Sequence, residues 1–120
     1  MEHLTERLAR FVCETQALPK DVEAAAKVAL MDTLGCALAG FPEQAAALAR
    51  DHVADMGARP VATVWGSALR TTPAEAAFAN AVATHVLDFD DTLATLRGHA
   101  SAPTLAVALA VGEQAGASGK

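Results

Sequence analysis

The sequence contains no tyrosine, one tryptophan and four phenylalanines, so aromatic side chains make up only 4% of its 120 residues. Sheet sandwiches and barrels depend on aromatic and β-branched side chains to fill their cores. Thirty residues are alanine instead, and alanine has the highest helix propensity of all residues. The composition therefore argues against an all-β fold and predicts an all-α protein whose core is built from small aliphatic side chains.

Basic residues are also scarce, since nine lysines and arginines stand against fourteen acidic residues and leave a net charge of −5. The sequence has no cluster of basic side chains that could neutralise a row of phosphates. Binding to DNA or RNA depends on such clusters. We therefore expect no nucleic-acid partner.

The sequence lacks the marks of an exported or membrane protein. Its charged N-terminus has no apolar signal-peptide core, and the most apolar run, 28–41, is shorter than the roughly 20 residues that span a bilayer. Cys13 and Cys36 lie in apolar helical stretches, which predicts buried free thiols in a reducing compartment. We expect a cytoplasmic protein with no membrane contact.

Apolar periodicity and the positions of proline and glycine predict five helices. Thr72 begins the fourth helix with a capping box in which Pro73 takes the first helical position. Gly40 is expected to end the second helix in a left-handed conformation, and Gly35 with Ala39 to allow close helix approach. The predicted helices span residues 5–15, 20–39, 42–56, 72–91 and 102–115, with a β-leaning stretch at 61–65.

Several of these helices are apolar on more than one face, and 120 residues supply few neighbours to cover them. Residues 1–120 are therefore interpreted as the N-terminal portion of a larger helical domain, a bundle-like fragment. No internal repeat or domain boundary is evident within the chain.

Three carboxylates crowd the predicted end of the fourth helix: Asp88, Asp90 and Asp91. The helix dipole is negative there, so each carboxylate is unfavourable by about 0.3–1 kcal/mol. One interpretation is a solvated helix end from which only Phe89 points inward. The other is a functional site in which a cation, a proton or a ligand relieves the repulsion.

A histidine, His99, follows this acidic cluster in a loop, just before the predicted fifth helix. Ser101 is expected to cap that helix, whose free N–H groups would form an anion site. An imidazole in this position could exchange a proton with a carboxylate substrate, although a solvent-exposed loop histidine is the alternative. Asp32 is expected to make a buried polar contact, and His85 to be a hydrogen-bonded core histidine.

The string from Val86 to Leu93 has two short motif matches. It resembles the first motif of haloacid-dehalogenase-like phosphatases, in which two aspartates work with Mg²⁺ at the end of a buried strand. The residues before it, however, predict an alanine-rich helix. Residues 88–91 also match the DxDD string of helical terpene cyclases, whose aromatic cavity lining is scarce here.

A broader resemblance rests on four blocks in order along the chain. The chain resembles the N-terminal region of the MmgE/PrpD family, which includes 2-methylcitrate dehydratase and cis-aconitate decarboxylase. The family commonly has proline where Ala100 stands. The blocks are Asp32-Thr-Leu-Gly-Cys-Ala-Leu-Ala-Gly40, Pro73-Ala-Glu-Ala-Ala77 with Asn80, His85-Val-Leu-Asp-Phe-Asp-Asp-Thr92 and Gly98-His-Ala-Ser-Ala-Pro103.

The resemblance implies a large all-α domain and a smaller α+β lid domain that is absent here, with the active site between them. It implies small di- and tricarboxylate substrates and no metal or organic cofactor. The family's active-site acid falls on Asp88, its threonine on Thr92 and its loop histidine on His99, and the remaining site residues lie beyond Lys120. Ser101 is a further candidate substrate contact, because its hydroxyl flanks the same loop as that of Thr92.

Two functions of different classes follow from this sequence. The first is part of a cofactor-independent lyase for small polycarboxylates, incomplete as a catalyst by itself and expected to form a homodimer or another homo-oligomer. The second is a non-catalytic helical module for interaction or oligomerisation, whose apolar faces are covered by a partner chain.

Overall fold

The computed structural model describes residues 3–118 as five helices and one short antiparallel hairpin, which confirms the all-α prediction. In the hairpin Ala62 pairs with Thr71 and Thr63 with Arg70. The elements in chain order are α1 (Leu4–Glu14), α2 (Lys20–Gly40), α3 (Gln44–Asp55), β1 (Ala62–Thr63), β2 (Arg70–Thr71), α4 (Pro73–His85) and α5 (Ser101–Ala115).

Helix α4 is the centre of the fold, since α2, α3, α5 and both strands pack against it. Phe78, the largest apolar residue of α4, is exposed, and the helix buries its small residues instead. The core therefore consists mainly of alanine and valine, as the composition predicts. The buried residues of α4 are Ala76, Ala77, Ala79, Asn80, Ala83 and Thr84.

The buried side-chain amide of Asn80 on α4 forms hydrogen bonds with the hairpin region. The Trp65 N–H donates to Oδ1 of Asn80 at 2.9 Å, and Nδ2 of Asn80 donates to the Thr63 carbonyl at 3.0 Å. These bonds satisfy both ends of a polar side chain that is only 2% exposed, as a buried amide requires. Thr72 caps α4 by accepting the Glu75 N–H, which confirms the predicted start of this helix.

The C-terminal half of α2 lies close to α4 because Gly40 has no side chain. A Cβ atom at Gly40 would lie 2.1 Å from the Ala83 carbonyl oxygen and 2.6 Å from Cγ1 of Val86. The expectation of a left-handed Gly40 is wrong, because that residue is the last of α2 and Phe41 continues in the right-handed region. Gly35 and Ala39 are exposed, so they do not form the close contact expected of them.

The N-terminal part of the chain is not covered by the rest of it. All eleven residues of α1 are exposed, including Leu4, Leu8, Phe11 and Val12. Cys13 is therefore exposed, against the prediction that both cysteines are buried, whereas Cys36 is buried. Asp32 on α2 is also exposed rather than held in a buried contact.

Within residues 3–118 no single helix is both long and apolar enough to cross a membrane. Helices α2 and α3 together meet the test of length and composition, but they are bent by 91° where they join.

Candidate active site

Helix α4 ends at His85, earlier than predicted, so the three aspartates lie in the loop that follows it. The Asp88 N–H donates to the His85 carbonyl at 2.9 Å. Asp88 itself has a φ of +55°, a left-handed conformation that aspartate tolerates better than most residues. The three carboxylates are therefore carried by a loop and not by the last turn of the helix.

Consecutive residues of this loop reach different parts of the molecule. Asp88 is exposed and approaches His99. Phe89, which would point inward in the interpretation of a solvated helix end, is exposed and lines a cleft against α2. Asp90 is the buried residue, with 4% of its surface exposed, and Asp91 reaches α5.

The buried Asp90 carboxylate contacts the imidazoles of two histidines. Nδ1 of His85 lies 3.0 Å from Oδ1 and 3.2 Å from Oδ2 of Asp90. Nδ1 of His99 lies 3.3 Å from the same Oδ1. Burial of a carboxylate is unfavourable unless it is hydrogen-bonded or paired, and the two imidazoles provide those partners.

The predicted pair of Asp88 and His99 is brought together. Nε2 of His99 lies 3.2 Å from Oδ1 of Asp88, while Nδ1 lies 3.1 Å from the Asp90 carbonyl oxygen. The His99 side chain is only 27% exposed, so it is not the solvent-exposed loop histidine of the alternative interpretation. His85, Asp88, Asp90 and His99 are called the Asp–His cluster below.

The Asp–His cluster borders an open cleft of about 420 Å³ between α4 and α5. The rings of His85 and His99 meet edge to face in its wall, with centroids 4.6 Å apart. The remaining wall is apolar, so the two imidazoles are its polar groups. The lining residues are Ala81, Val82, His85, His99, Ala102 and Pro103.

The two predicted hydroxyl contacts differ in their surroundings. Thr92 is exposed, and its side chain makes no hydrogen bond to any residue within 3–118. Ser101 is the first residue of α5 rather than its cap. Its N–H donates to Oδ1 of Asp91 at 3.0 Å, and its hydroxyl donates to Oδ2 at 2.7 Å. The anion site expected at this helix start is thus occupied by the chain's own Asp91.

The Asp–His cluster also has the donor types of a metal site. One ligand atom from each of its four side chains lies within 4.8 Å of the others, and imidazole with carboxylate suits several divalent cations. The same side chains also contact one another, through the hydrogen bond between His85 and Asp90 and the close approaches of His99 to Asp88 and Asp90.

The Cys36 thiol lies on the other side of the loop, in the cleft that Phe89 lines. Burial raises the pKa of this thiol, and the negative charges of Asp32, Asp90 and Asp91 raise it further. A thiol with a raised pKa carries little thiolate at neutral pH. Cys36 is therefore a poor nucleophile in this setting.

The phosphatase motif does not fit this setting. Its first aspartate must follow a buried strand, whereas Asp88 follows helix α4 across a short turn. The aspartates are instead paired with histidines or with the start of α5.

A helical domain with paired imidazoles and carboxylates beside a cleft has the parts of an acid–base site. A family model described as the MmgE/PrpD N-terminal domain matches residues 6–120 of the chain. The chain therefore belongs to the MmgE/PrpD family. Comparisons with curated proteins and with solved structures give no significant match.

Sequence reasoning missed the roles of Asp90 and His85. His85 is hydrogen-bonded as expected, yet its side chain is 53% exposed in the cleft wall and not part of the core. The sequence feature that could have indicated their contact is the spacing of five residues from His85 to Asp90, because a short turn can bring two such side chains together. Nothing in the string of aspartates indicated which one is buried.

Proposed function

We propose that this chain forms part of a cofactor-independent lyase that acts on small di- or tricarboxylates. Membership of the MmgE/PrpD family supports the class of reaction. The observation that carries the proposal is the 3.2 Å contact between Nε2 of His99 and Oδ1 of Asp88 beside the cleft. This pair is positioned to hold or release a proton near a bound substrate.

Lyase chemistry on such substrates needs a group of this kind. A proton is removed next to a carboxylate before water leaves, or is added to carbon after CO₂ leaves. A positioned imidazole contributes about 10²–10⁴-fold to the rate of such steps.

The substrate-binding roles are divided differently from the sequence-based expectation. Thr92 remains a proposed substrate contact, because its hydroxyl is exposed and unpaired within residues 3–118. Ser101 already donates its hydroxyl proton to Asp91, so it cannot donate to a substrate carboxylate at the same time. We assign Ser101 to holding the start of α5. The groups that bind the substrate carboxylates are proposed to come from the rest of a larger domain.

The direct test is turnover of 2-methylcitrate and of cis-aconitate by the full-length product of the gene. We expect His99→Ala to lower kcat by about 10²–10⁴-fold. His52→Ala is the matched control, because His52 is exposed on α3. Equal turnover in wild type and His99→Ala would contradict the catalytic role. If the folded wild-type enzyme consumes neither 2-methylcitrate nor cis-aconitate, that result would contradict the proposed class of small polycarboxylate substrates.

The second candidate function is a helical interaction module, and one observation favours it. Helix α1 exposes the four apolar side chains of Leu4, Leu8, Phe11 and Val12. An exposed patch of this kind marks a surface that another protein segment covers.

A further inference from the structure

The acceptors around the two imidazoles restrict where their protons can be. A backbone carbonyl only accepts hydrogen bonds, and so does an ionised carboxylate. Nδ1 of His99 faces the Asp90 carbonyl oxygen at 3.1 Å, and Nδ1 of His85 faces both Asp90 carboxylate oxygens at 3.0 and 3.2 Å. With Asp90 ionised, each Nδ1 must carry the hydrogen.

We propose that Asp90 is a positioning residue that fixes both imidazoles in the Nδ1–H form and thereby makes Nε2 the proton-transferring atom of each ring. The inference rests on the proposed acid–base function and extends it to residues that the resemblance does not assign. Asp90 acts through the histidines because its carboxylate is buried and lies behind them. His85 becomes the second imidazole of the site, since its ring lines the same cleft as that of His99.

The contact between His99 and Asp88 identifies the ring atom that can exchange a proton. Nε2 of His99 lies 3.2 Å from Oδ1 of Asp88, while Nδ1 faces the Asp90 carbonyl oxygen at 3.1 Å. With the hydrogen of the neutral ring held on Nδ1, Nε2 carries the lone pair that can accept a proton from a substrate or from the Asp88 carboxyl.

Long-range ¹H–¹⁵N NMR spectra of the ¹⁵N-labelled chain test this assignment, because they distinguish the two imidazole tautomers. Spectra are recorded with EDTA in mildly alkaline buffer, where an ordinary imidazole is largely neutral. We expect the Nδ1–H pattern for His85 and His99 in the wild type. His52 serves as the internal reference, because it is exposed on α3 and outside the Asp–His cluster.

The variant Asp90→Asn removes the carboxylate and keeps the backbone carbonyl. We expect His85 to shift towards the Nε2–H form, because a single amide oxygen replaces the two oxygens that accepted from it. His99 should retain the Nδ1–H form in larger part, because the carbonyl of residue 90 still accepts from it. Asp91→Asn is the matched control and should leave both tautomers unchanged.

Two results would overturn the inference. One is an Nε2–H pattern for His85 in the wild type, a result that does not depend on the folding of any variant. The other is an unchanged His85 tautomer in folded Asp90→Asn. The tautomers do not depend on turnover, so the Nδ1–H pattern in a protein that consumes no polycarboxylate would refute only the proposed function. An active enzyme with the wrong tautomers would refute only the role of Asp90.

Discussion

Gly40 illustrates how one residue sets the distance between two helices. The clash that a Cβ atom would meet there is with a backbone oxygen of α4, at Ala83, and helix backbone cannot move aside as a side chain can. We expect Gly40→Ala to lower the free energy of unfolding by about 1–3 kcal/mol. Urea denaturation followed by circular dichroism measures this loss.

Gly35 provides a matched control in the same helix. A Cβ atom there would have no neighbour within 4 Å, so Gly35→Ala should raise stability by about 0.5–1 kcal/mol through helix propensity. A similar shift in both variants, in either direction, would show that α2 does not pack on α4 through Gly40.

The buried Cys36 gives stability a dependence on alkaline pH. The pKa of its thiol is raised above the ordinary value of 9.0 in the folded state, so the unfolded chain loses this proton first. The contribution of the thiol is complete below the unfolded pKa and is lost as pH rises through the folded pKa. We expect the free energy of unfolding to decline above about pH 9, and to decline less in Cys36→Ala.

Cys13 is the control for this prediction, because it is exposed on α1. Cys13→Ala should leave the alkaline decline unchanged. In the wild type a thiol-specific reagent should modify Cys13 rapidly and Cys36 only after denaturation. Equal labelling rates at the two positions in the folded protein would contradict the burial of Cys36.

At the scale of elements, the conformation of the loop from 86 to 100 depends on two left-handed residues and a few hydrogen bonds. Asp88 and Arg97 are the two non-glycine residues with positive φ within 3–118, and such conformations cost about 1–3 kcal/mol each when strained. The Leu93 N–H donates to the Gly98 carbonyl at 2.9 Å, which closes the loop on itself. Asp91 then ties the loop to the start of α5.

Loss of the hydrogen bonds between Asp91 and Ser101 should lower the stability of the protein measurably. Asp91→Ala abolishes both hydrogen bonds to Ser101, so we expect a loss of about 0.5–2 kcal/mol, the usual effect of deleting a helix cap. Ser101→Ala removes only the hydroxyl bond and should be milder. Thermal unfolding compares the two variants, and a larger effect of Ser101→Ala would contradict the capping role of Asp91.

The sequence predicted where helices begin better than where they end. Thr72 and Pro73 mark the start of α4 through local chemistry that a sequence displays directly. The end of α4 at His85 depends instead on Asp90, whose burial requires the chain to turn away from the helix. Side-chain direction in such a loop follows no period, so Asp90 could not be distinguished from its neighbours.

At the scale of the whole molecule, the fold leaves large apolar side chains exposed on all five helices of residues 3–118. Apolar side chains are exposed on α1 and also on α2, where Val28 and Met31 line a second cleft with Phe89. We predict that the chain self-associates through α1, which carries four of these side chains on eleven residues. Light scattering after size exclusion, over a range of concentrations, measures the association.

Charged substitutions on α1 identify the surface involved. Leu8→Glu combined with Phe11→Glu should shift the protein towards monomer without loss of helix signal from the core, because no residue of α1 is buried. Leu48→Glu on α3, an exposed apolar site elsewhere, is the control. A wild-type monomer at every concentration would contradict self-association.

The alanine-rich interior has a consequence for how this domain tolerates variation. Many proteins lose stability when a bulky interior group is trimmed and a void remains. Ala46, Ala62, Ala76 and Ala106 are fully enclosed and have almost nothing to trim. Of the amino-acid replacements that one nucleotide change makes from an alanine codon, only glycine adds no atoms. Random mutagenesis should therefore reveal damage by overcrowding, and the surviving replacements at these positions should be mostly glycine and serine.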